Sequence, residues 1–176
     1  MRSDAARNLD AVLETGAAVL AGDPGASMAA IAERAGVDRS TVYRRFANRD
    51  ALLAAVHQAK IDSADRAMDA ARLEEAPVAV ALHRYVEGIV EVSRRWPVDL
   101  ERFAADPAAA EGAARLLGRL DAFIERAIRE GLLDADPVWA REVLRALTHV
   151  AAHETPDIPP GRAADLVTKT LLEGLG

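Results

Sequence analysis

The chain has 176 residues, of which 51% are hydrophobic and 28% charged, so it can bury a core and does not have the composition of a disordered protein. Aromatic residues make up only 4% of the sequence, and no alternating run rich in Val, Ile or Thr occurs. This argues against a sheet-based enzyme and predicts an all-α fold. Cysteine is absent, which excludes disulfides and thiolate zinc sites.

The net charge of −6 is distributed unevenly along the chain. Residues 1–50 carry seven basic and seven acidic side chains, whereas residues 51–176 carry 15 basic and 21 acidic ones. The eleven residues from Arg39 to Arg49 contain four arginines and no acid, a basic patch of the size that a DNA groove contact needs. No apolar run approaches the roughly 18 residues of a membrane span, and no signal peptide is visible. We therefore expect a cytoplasmic protein without a membrane partner.

The chain is predicted to begin with two helices. Apolar residues recur at helical spacing from Leu9 to Leu20, and the four turn-forming residues 22–25 end this first helix. Ser27 is a good N-cap for a short second helix. Gly36 then supplies the left-handed residue that closes that helix.

A third short helix is predicted for about residues 39–46, with Val42 and Phe46 one turn apart as its buried stripe. Asn48 is predicted to cap a fourth, long helix. That helix continues without proline or glycine to about Leu73, so it connects the first part of the chain to the second.

Prolines punctuate the remaining sequence at positions where they can open or separate helices. Five further helices are predicted, near residues 77–95, 98–104, 107–131, 137–154 and 160–175. The last two have apolar faces that are wider than packing on one side requires. These faces consist of Val143, Leu144, Leu147, Val150, Leu166, Val167, Thr170, Leu171 and Leu175.

The second and third helices are separated by a turn of about four residues, which is the helix-turn-helix arrangement that lays its second helix in a major groove. With Val42 and Phe46 facing the core, Ser40 and Arg44 point directly outward. They are flanked by Arg39, Thr41, Tyr43 and Arg45. Arginine can bond guanine O6 and N7 together, threonine can contact a thymine methyl, and tyrosine or arginine can hold phosphate oxygens. The alternative interpretation is a solvated arginine face with a half-buried Tyr43.

These segments resemble the tetracycline-repressor (TetR) family of regulators. The resemblance covers roughly residues 7–57, about a third of the chain, and is carried by Ser27–Val37, Ser40–Phe46 and Asn48–Leu53. It implies base contacts from Arg39, Ser40 and Thr41. It also implies base or phosphate contacts from Tyr43, Arg44 and Arg45, and phosphate contacts from Arg49 and, at the start of the second helix, Ser27.

The resemblance further implies a helix-turn-helix DNA-binding domain at residues 1–50 and a ligand-binding and dimerisation domain at residues 51–176. The last two helices would pair with their copies in a homodimer, which the wide apolar faces support. Two recognition helices would then read a near-palindromic operator, because one helix reads only a few base pairs. The implied function is a transcriptional regulator, in particular a repressor that a small-molecule inducer releases from operator DNA, with no cofactor.

Candidates for the inducer pocket are large or polar residues on otherwise apolar helices, although aromatic residues at helical spacing are equally typical of a core. They are Tyr85, Trp96, Phe103, Phe123, Trp139 and His149. His149 and His153 lie four residues apart, a geometry that can share a metal ion, but the sequence indicates no further ligands, so we expect no metal site.

The alternative to a regulator is an all-helical interaction module or a small helical enzyme without DNA binding. A hydrolytic enzyme built on these histidines would need a nucleophile beside them, and only Thr148 and Thr155 are near in sequence. The grouping of the basic window on a capped helix pair favours the regulator. We therefore expect a protein that is not an enzyme.

Overall fold

The computed structural model describes residues 2–98 and 107–175, and this part of the chain contains eight α-helices, one π-helical segment and no strand. The helices are α1 (Arg2–Gly22), α2 (Met28–Arg34), α3 (Arg39–Arg45), α4 (Arg49–Ala71), α5 (Val78–Arg95), α6 (Pro107–Arg129), α7 (Pro137–His149) and α8 (Pro160–Leu175). The all-α prediction is confirmed. The helix predicted near residues 98–104 falls, apart from Val98, outside the described residues. None of the described helices is long and apolar enough to cross a membrane.

The chain divides into two compact units. The first unit comprises residues 1–61 and 95–111, and the second comprises residues 62–94 and 112–176. The divisions therefore fall within α4, at the end of α5 and within α6. The predicted domain boundary at residue 50 stays a prediction.

In the first unit, α1 comes close to α2 and α4 at Gly16. A Cβ atom built on Gly16 would lie 3.6 Å from the side chains of both Ile31 and Val56, and these two side chains are completely buried. The small residue lets the helix backbones approach, and α2 in turn packs against both α1 and α3. The short helices α2 and α3 thus gain their stability from a shared core rather than from their own length.

The second unit has an interior to which α5, α6, α7 and α8 all contribute. Its most deeply buried side chains include Leu82, Val86, Val90, Ile124, Leu144 and Leu171. The three that belong to α5, Leu82, Val86 and Val90, recur four residues apart, as the helical period requires.

Two helices end slightly before their predicted limits, and in both cases the backbone explains the difference. The helix α4 ends at Ala71 rather than Leu73, because Arg72 has a left-handed φ of +55°. The helix α6 ends at Arg129 rather than 131, because Gly131 has a φ of +74°. A left-handed residue cannot continue a right-handed helix, so the helix must stop there.

The helix predicted for residues 137–154 changes character near its end. The α-helix stops at His149, and Val150–Glu154 are π-helical. The Arg94 guanidinium donates to the carbonyl oxygen of Ala151 at 2.8 Å, and the Thr155 backbone N–H donates instead to the carbonyl oxygen of Val150 at 3.1 Å, five residues back. The regular α-helical donor to the Ala151 carbonyl would be the Thr155 N–H, so in the wider turn the arginine supplies this carbonyl with a donor instead.

Candidate nucleic-acid interface

The helices α2 and α3 form a closely joined pair whose ends are fixed by local hydrogen bonds. Ser27 is the N-cap of α2, and its hydroxyl oxygen accepts from the Ala30 N–H at 3.2 Å, as predicted. Gly36 has a φ of +65°, a conformation that would cost another residue about 1 kcal/mol. The N–H of Val37 then bonds the Ala32 carbonyl at 3.1 Å, so the chain reverses immediately into α3.

Asp38 caps the start of α3, a role that the sequence interpretation missed. Its side chain accepts from the Ser40 backbone N–H at 2.7 Å. The sequence did contain a signal for this cap, since aspartate is a preferred N-cap residue immediately before the first residue of a helix. Hydrogen bonds from Ser40 lower the pKa of the Asp38 carboxyl, because they stabilise its charged form. The cap therefore fixes the first turn of the helix that carries Arg39 and Ser40.

We predict that the contribution of the Asp38 cap depends on pH. The lowered pKa means that the folded state binds this proton less readily than the unfolded state does. Wild type should therefore be more stable than Asp38→Ala above the ordinary pKa of aspartate, and the difference should shrink as pH falls through the lowered pKa. Urea unfolding of both proteins between pH 7 and pH 3 measures this difference. A difference that stays constant over this range would contradict the role of the charged cap.

The predicted groove-reading residues of α3 are accessible to solvent, whereas its buried stripe is not. Val42 and Phe46 are buried, with 1% and 7% of their surface exposed, as predicted. The side chains of Arg39, Ser40, Tyr43, Arg44 and Arg45 are exposed, and Thr41 is partly exposed. Tyr43 has 53% of its surface exposed, although an isolated tyrosine gains by burying its ring. The structure thus brings six of the eight predicted DNA-contact residues onto one solvent-facing surface.

Arg49, the first residue of α4, differs from these six. Its guanidinium Nε donates to the carbonyl oxygen of Ala26 at 3.0 Å, and its Nη2 donates to that of Pro24. Arg49 is half-buried, and its partners belong to the loop between α1 and α2. In this structure the guanidinium is engaged by the protein itself rather than extended into solvent.

The six pocket candidates do not share one environment. Tyr85 and Phe123 are buried in the interior of the second unit, and burial raises the pKa of the Tyr85 phenol despite the positive charge of Arg145. Trp96 is buried in the first unit, and its Nε1 has no hydrogen-bond acceptor among the described residues. Phe103 lies outside the described residues.

The remaining two candidates, Trp139 and His149, lie on the exposed face of α7. Trp139 has 53% of its surface exposed, and the ring centres of His149 and the exposed His153 are 4.7 Å apart. The face of α7 that enters the interior of the unit carries Ala140 and Leu144 instead. Helical periodicity alone could not tell which of the two apolar faces of α7 is buried. Neither residue contributes to this interior, and a ligand contact from either one stays a prediction.

Comparison with known proteins identifies the family. The sequence profile described as "Bacterial regulatory proteins, tetR family" matches residues 13–56. The HTH-type transcriptional repressor LfrR of Mycolicibacterium smegmatis is 31% identical over 182 residues, covering 96% of this chain and 90% of that protein. The chain belongs to the tetR family of bacterial regulatory proteins. The resemblance seen in residues 7–57 is therefore confirmed, and it extends over nearly the whole chain.

Solved structures agree with this assignment to the tetR family. The crystal structure of the TetR-like transcriptional regulator LfrR from Mycobacterium smegmatis in complex with proflavine has a TM-score of 0.71 at 29% identity, covering 97% of this chain and 98% of that one. The ketosteroid transcriptional regulator KstR2 of Mycobacterium tuberculosis has a TM-score of 0.77 at 16% identity, covering 93% and 92%, and shows the shared fold. As a member of this family, the chain is a DNA-binding transcriptional regulator. The relatives that it matches are regulators rather than enzymes.

Proposed function

We propose that the protein is a homodimeric transcriptional repressor that binds a near-palindromic operator and is released by a small-molecule inducer. The observation that carries this proposal is the α3 surface, on which three arginines, Ser40 and Tyr43 are exposed opposite a buried Val42. Arg39, Ser40 and Thr41 would face base edges, and Tyr43, Arg44 and Arg45 would contact bases or phosphates. The protein would act in the cytoplasm, where the operator is.

The proposed dimer forms through α7, its π-helical end and α8. Four large apolar side chains of these elements are exposed, with between 40% and 56% of their surface accessible: Val138, Trp139, Val150 and Leu166. A dimer is also what DNA geometry requires, because two recognition helices about 34–36 Å apart read successive major grooves. Of the predicted apolar faces, Leu144, Val167 and Leu171 instead pack inside the unit, and the side chain of Leu175 lies outside the described part of the chain.

Within this proposal, residues 1–50 read DNA and residues 51–176 bind the inducer and dimerise. The inducer would enter the second unit, whose interior contains Tyr85 and Phe123. Inducer binding would shift the long helix α4, which begins at Arg49 immediately after the DNA-reading helices, so that the two recognition helices no longer match successive grooves. A preference of about 1–3 kcal/mol for the released state suffices for ordinary induction.

The proposal is tested by DNA selection followed by mobility-shift titration. Sequences enriched from a random duplex pool should be near-palindromic, and the protein should bind them at least about 1,000-fold more tightly than a scrambled duplex of the same composition. Equal affinity for enriched and scrambled duplexes would contradict operator recognition. Absence of any binding at low salt would contradict DNA binding by this surface altogether.

The inducer is tested on the same complex. Proflavine, the molecule in the crystal structure of LfrR, is a suitable first probe. Release of the enriched operator by a probe that does not compete on the bare duplex would support induction through the second unit. Because proflavine can itself bind DNA, the control is the same titration with the duplex alone.

A further inference from the structure

We propose that Arg49 is a positioning residue for operator binding, which holds the loop between α1 and α2 and thereby places Ser27 and α2. This inference rests on the proposed function. Its starting point is the difference between Arg49 and the arginines of α3. Those side chains are exposed, whereas the guanidinium of Arg49 donates to the carbonyl oxygens of both Pro24 and Ala26.

The loop that Arg49 binds is built from local hydrogen bonds. The N–H of Asp23 bonds the Val19 carbonyl at 2.8 Å at the end of α1. The side chain of Asp23 accepts from the Gly25 N–H at 2.9 Å, and its carbonyl accepts from the Ala26 N–H at 3.0 Å. These bonds satisfy N–H groups of the loop. Arg49 supplies donors to two carbonyls of the same turn, so the turn is held from both sides.

The position of Arg49 is itself fixed by the start of α4. The side chain of Asn48 accepts from the Ala51 N–H at 2.8 Å, so the first turn of α4 is capped directly beside Arg49. A guanidinium presents its N–H groups in a rigid planar fork, which suits the two nearby carbonyls of Pro24 and Ala26. A lysine ammonium keeps the charge but not this fork. The interaction therefore needs arginine at this position for its geometry and not only for its charge.

The consequence for DNA binding follows from chain connectivity. Ala26 is buried, with 5% of its surface exposed, and Ser27 follows it directly as the N-cap of α2. Holding the Ala26 carbonyl therefore fixes the backbone that presents the exposed Ser27 side chain. Through α2, which packs against α3, the same contact fixes the helix pair relative to α4. Arg49 would thus act on operator affinity through Ser27 and α2, without contacting phosphate itself.

The test compares Arg49→Lys and Arg49→Ala with Arg45→Lys and Arg45→Ala, using the enriched operator at several salt concentrations. We expect both Arg49 variants to lose about tenfold in affinity while the salt dependence stays as in wild type, because no phosphate contact is removed. For Arg45, Arg45→Lys should stay close to wild type, and Arg45→Ala should lower the magnitude of the slope of log affinity against log salt by about 1.8, because the dimer loses two phosphate contacts. The inference would be overturned if Arg49→Lys bound the operator as tightly as wild type and Arg49→Ala lowered the salt slope as much as Arg45→Ala does. Arg49 would then contact a phosphate directly.

Two further measurements separate positioning from a general loss of stability. In a Ser27→Ala background, Arg49→Lys should lower operator affinity by clearly less than it does in wild type, since the part of the effect that acts through the Ser27 hydroxyl is already lost. Fully additive effects would overturn the inference. In the folded Arg49→Lys protein, hydrogen exchange of the amides from Gly25 to Ala30 should be faster than in wild type, and unchanged exchange would also overturn it. If the wild-type protein binds no duplex at all, the proposed function itself is contradicted. The results that would overturn the role of Arg49 are different, because they require a wild-type protein that binds the operator.

Discussion

Val150→Glu is expected to convert the dimer to a monomer and to lower operator affinity by about 100-fold or more. Val150 begins the π-helical segment and has 46% of its surface exposed on the proposed dimer face. A carboxylate buried there in two symmetry-related copies would be desolvated without a partner, which costs several kcal/mol. Loss of the dimer removes the second recognition helix and with it the gain in effective concentration from linking two half-sites. Sedimentation velocity measures the mass, and a mobility-shift titration measures the affinity.

The matched control for this variant is Val80→Glu. Val80 lies in the first turn of α5 and has 42% of its surface exposed, so the same change of size and charge is made at a similar exposure on another helix. The Val80→Glu protein should remain a dimer and bind operator normally. A dimeric Val150→Glu protein, or an equal loss in both variants, would contradict the assignment of the dimer face to α7 and α8.

Arg39→Ala is expected to remove most of the preference for the operator at one base pair of each half-site. Arg39 is the first residue of α3 and is exposed beside the capped turn, where a guanidinium can reach O6 and N7 of a guanine. Such a contact contributes about 1–3 kcal/mol of discrimination, and a dimer makes it twice. The ratio of affinities for enriched and scrambled duplexes should therefore fall by about 100-fold. Competition titration with singly substituted operators measures the ratio at each base pair.

The control for this second prediction is Arg34→Ala. Arg34 is also an exposed arginine of the first unit, but it lies in the last turn of α2 rather than on α3. The Arg34→Ala protein loses the same charge and should keep the operator preference. If Arg39→Ala lowers the affinity for all duplexes equally, Arg39 contacts phosphate instead of a base and the assigned role is wrong.

Much of the DNA-reading part could be predicted because its signals are local. The cap at Ser27, the left-handed Gly36 and the buried pair Val42 and Phe46 each depend on residues within a few positions of one another. A helical period of 3.6 residues then decides which side chains of α3 face outward. The outward placement of Ser40 and Arg44 followed from that period without knowledge of any tertiary contact.

It was harder to predict which of the pocket candidates are buried, because burial of a side chain on an amphipathic helix depends on what packs against that helix. Tyr85 and Trp139 have the same sequence signal, a large aromatic on an apolar helix, yet one has 5% and the other 53% of its surface exposed. The helix α7 has apolar residues on two sides, and only its packing selects the side with Leu144 as the interior. The second side remains available for another partner.

The sequence by itself determined the all-α class, the capped helix pair and the basic outward face of α3, since each arises from periodicity or from hydrogen bonds between near neighbours. Only the tertiary structure decided that Arg49 binds the carbonyls of Pro24 and Ala26, and that Arg94 binds the carbonyl of Ala151 where the π-helical segment forms. The two arginines are 23 and 57 residues from Ala26 and Ala151 respectively. An arginine looks the same in the sequence whether its guanidinium faces solvent, a phosphate or a backbone carbonyl. Only the folded backbone decides which of these partners lies within its reach.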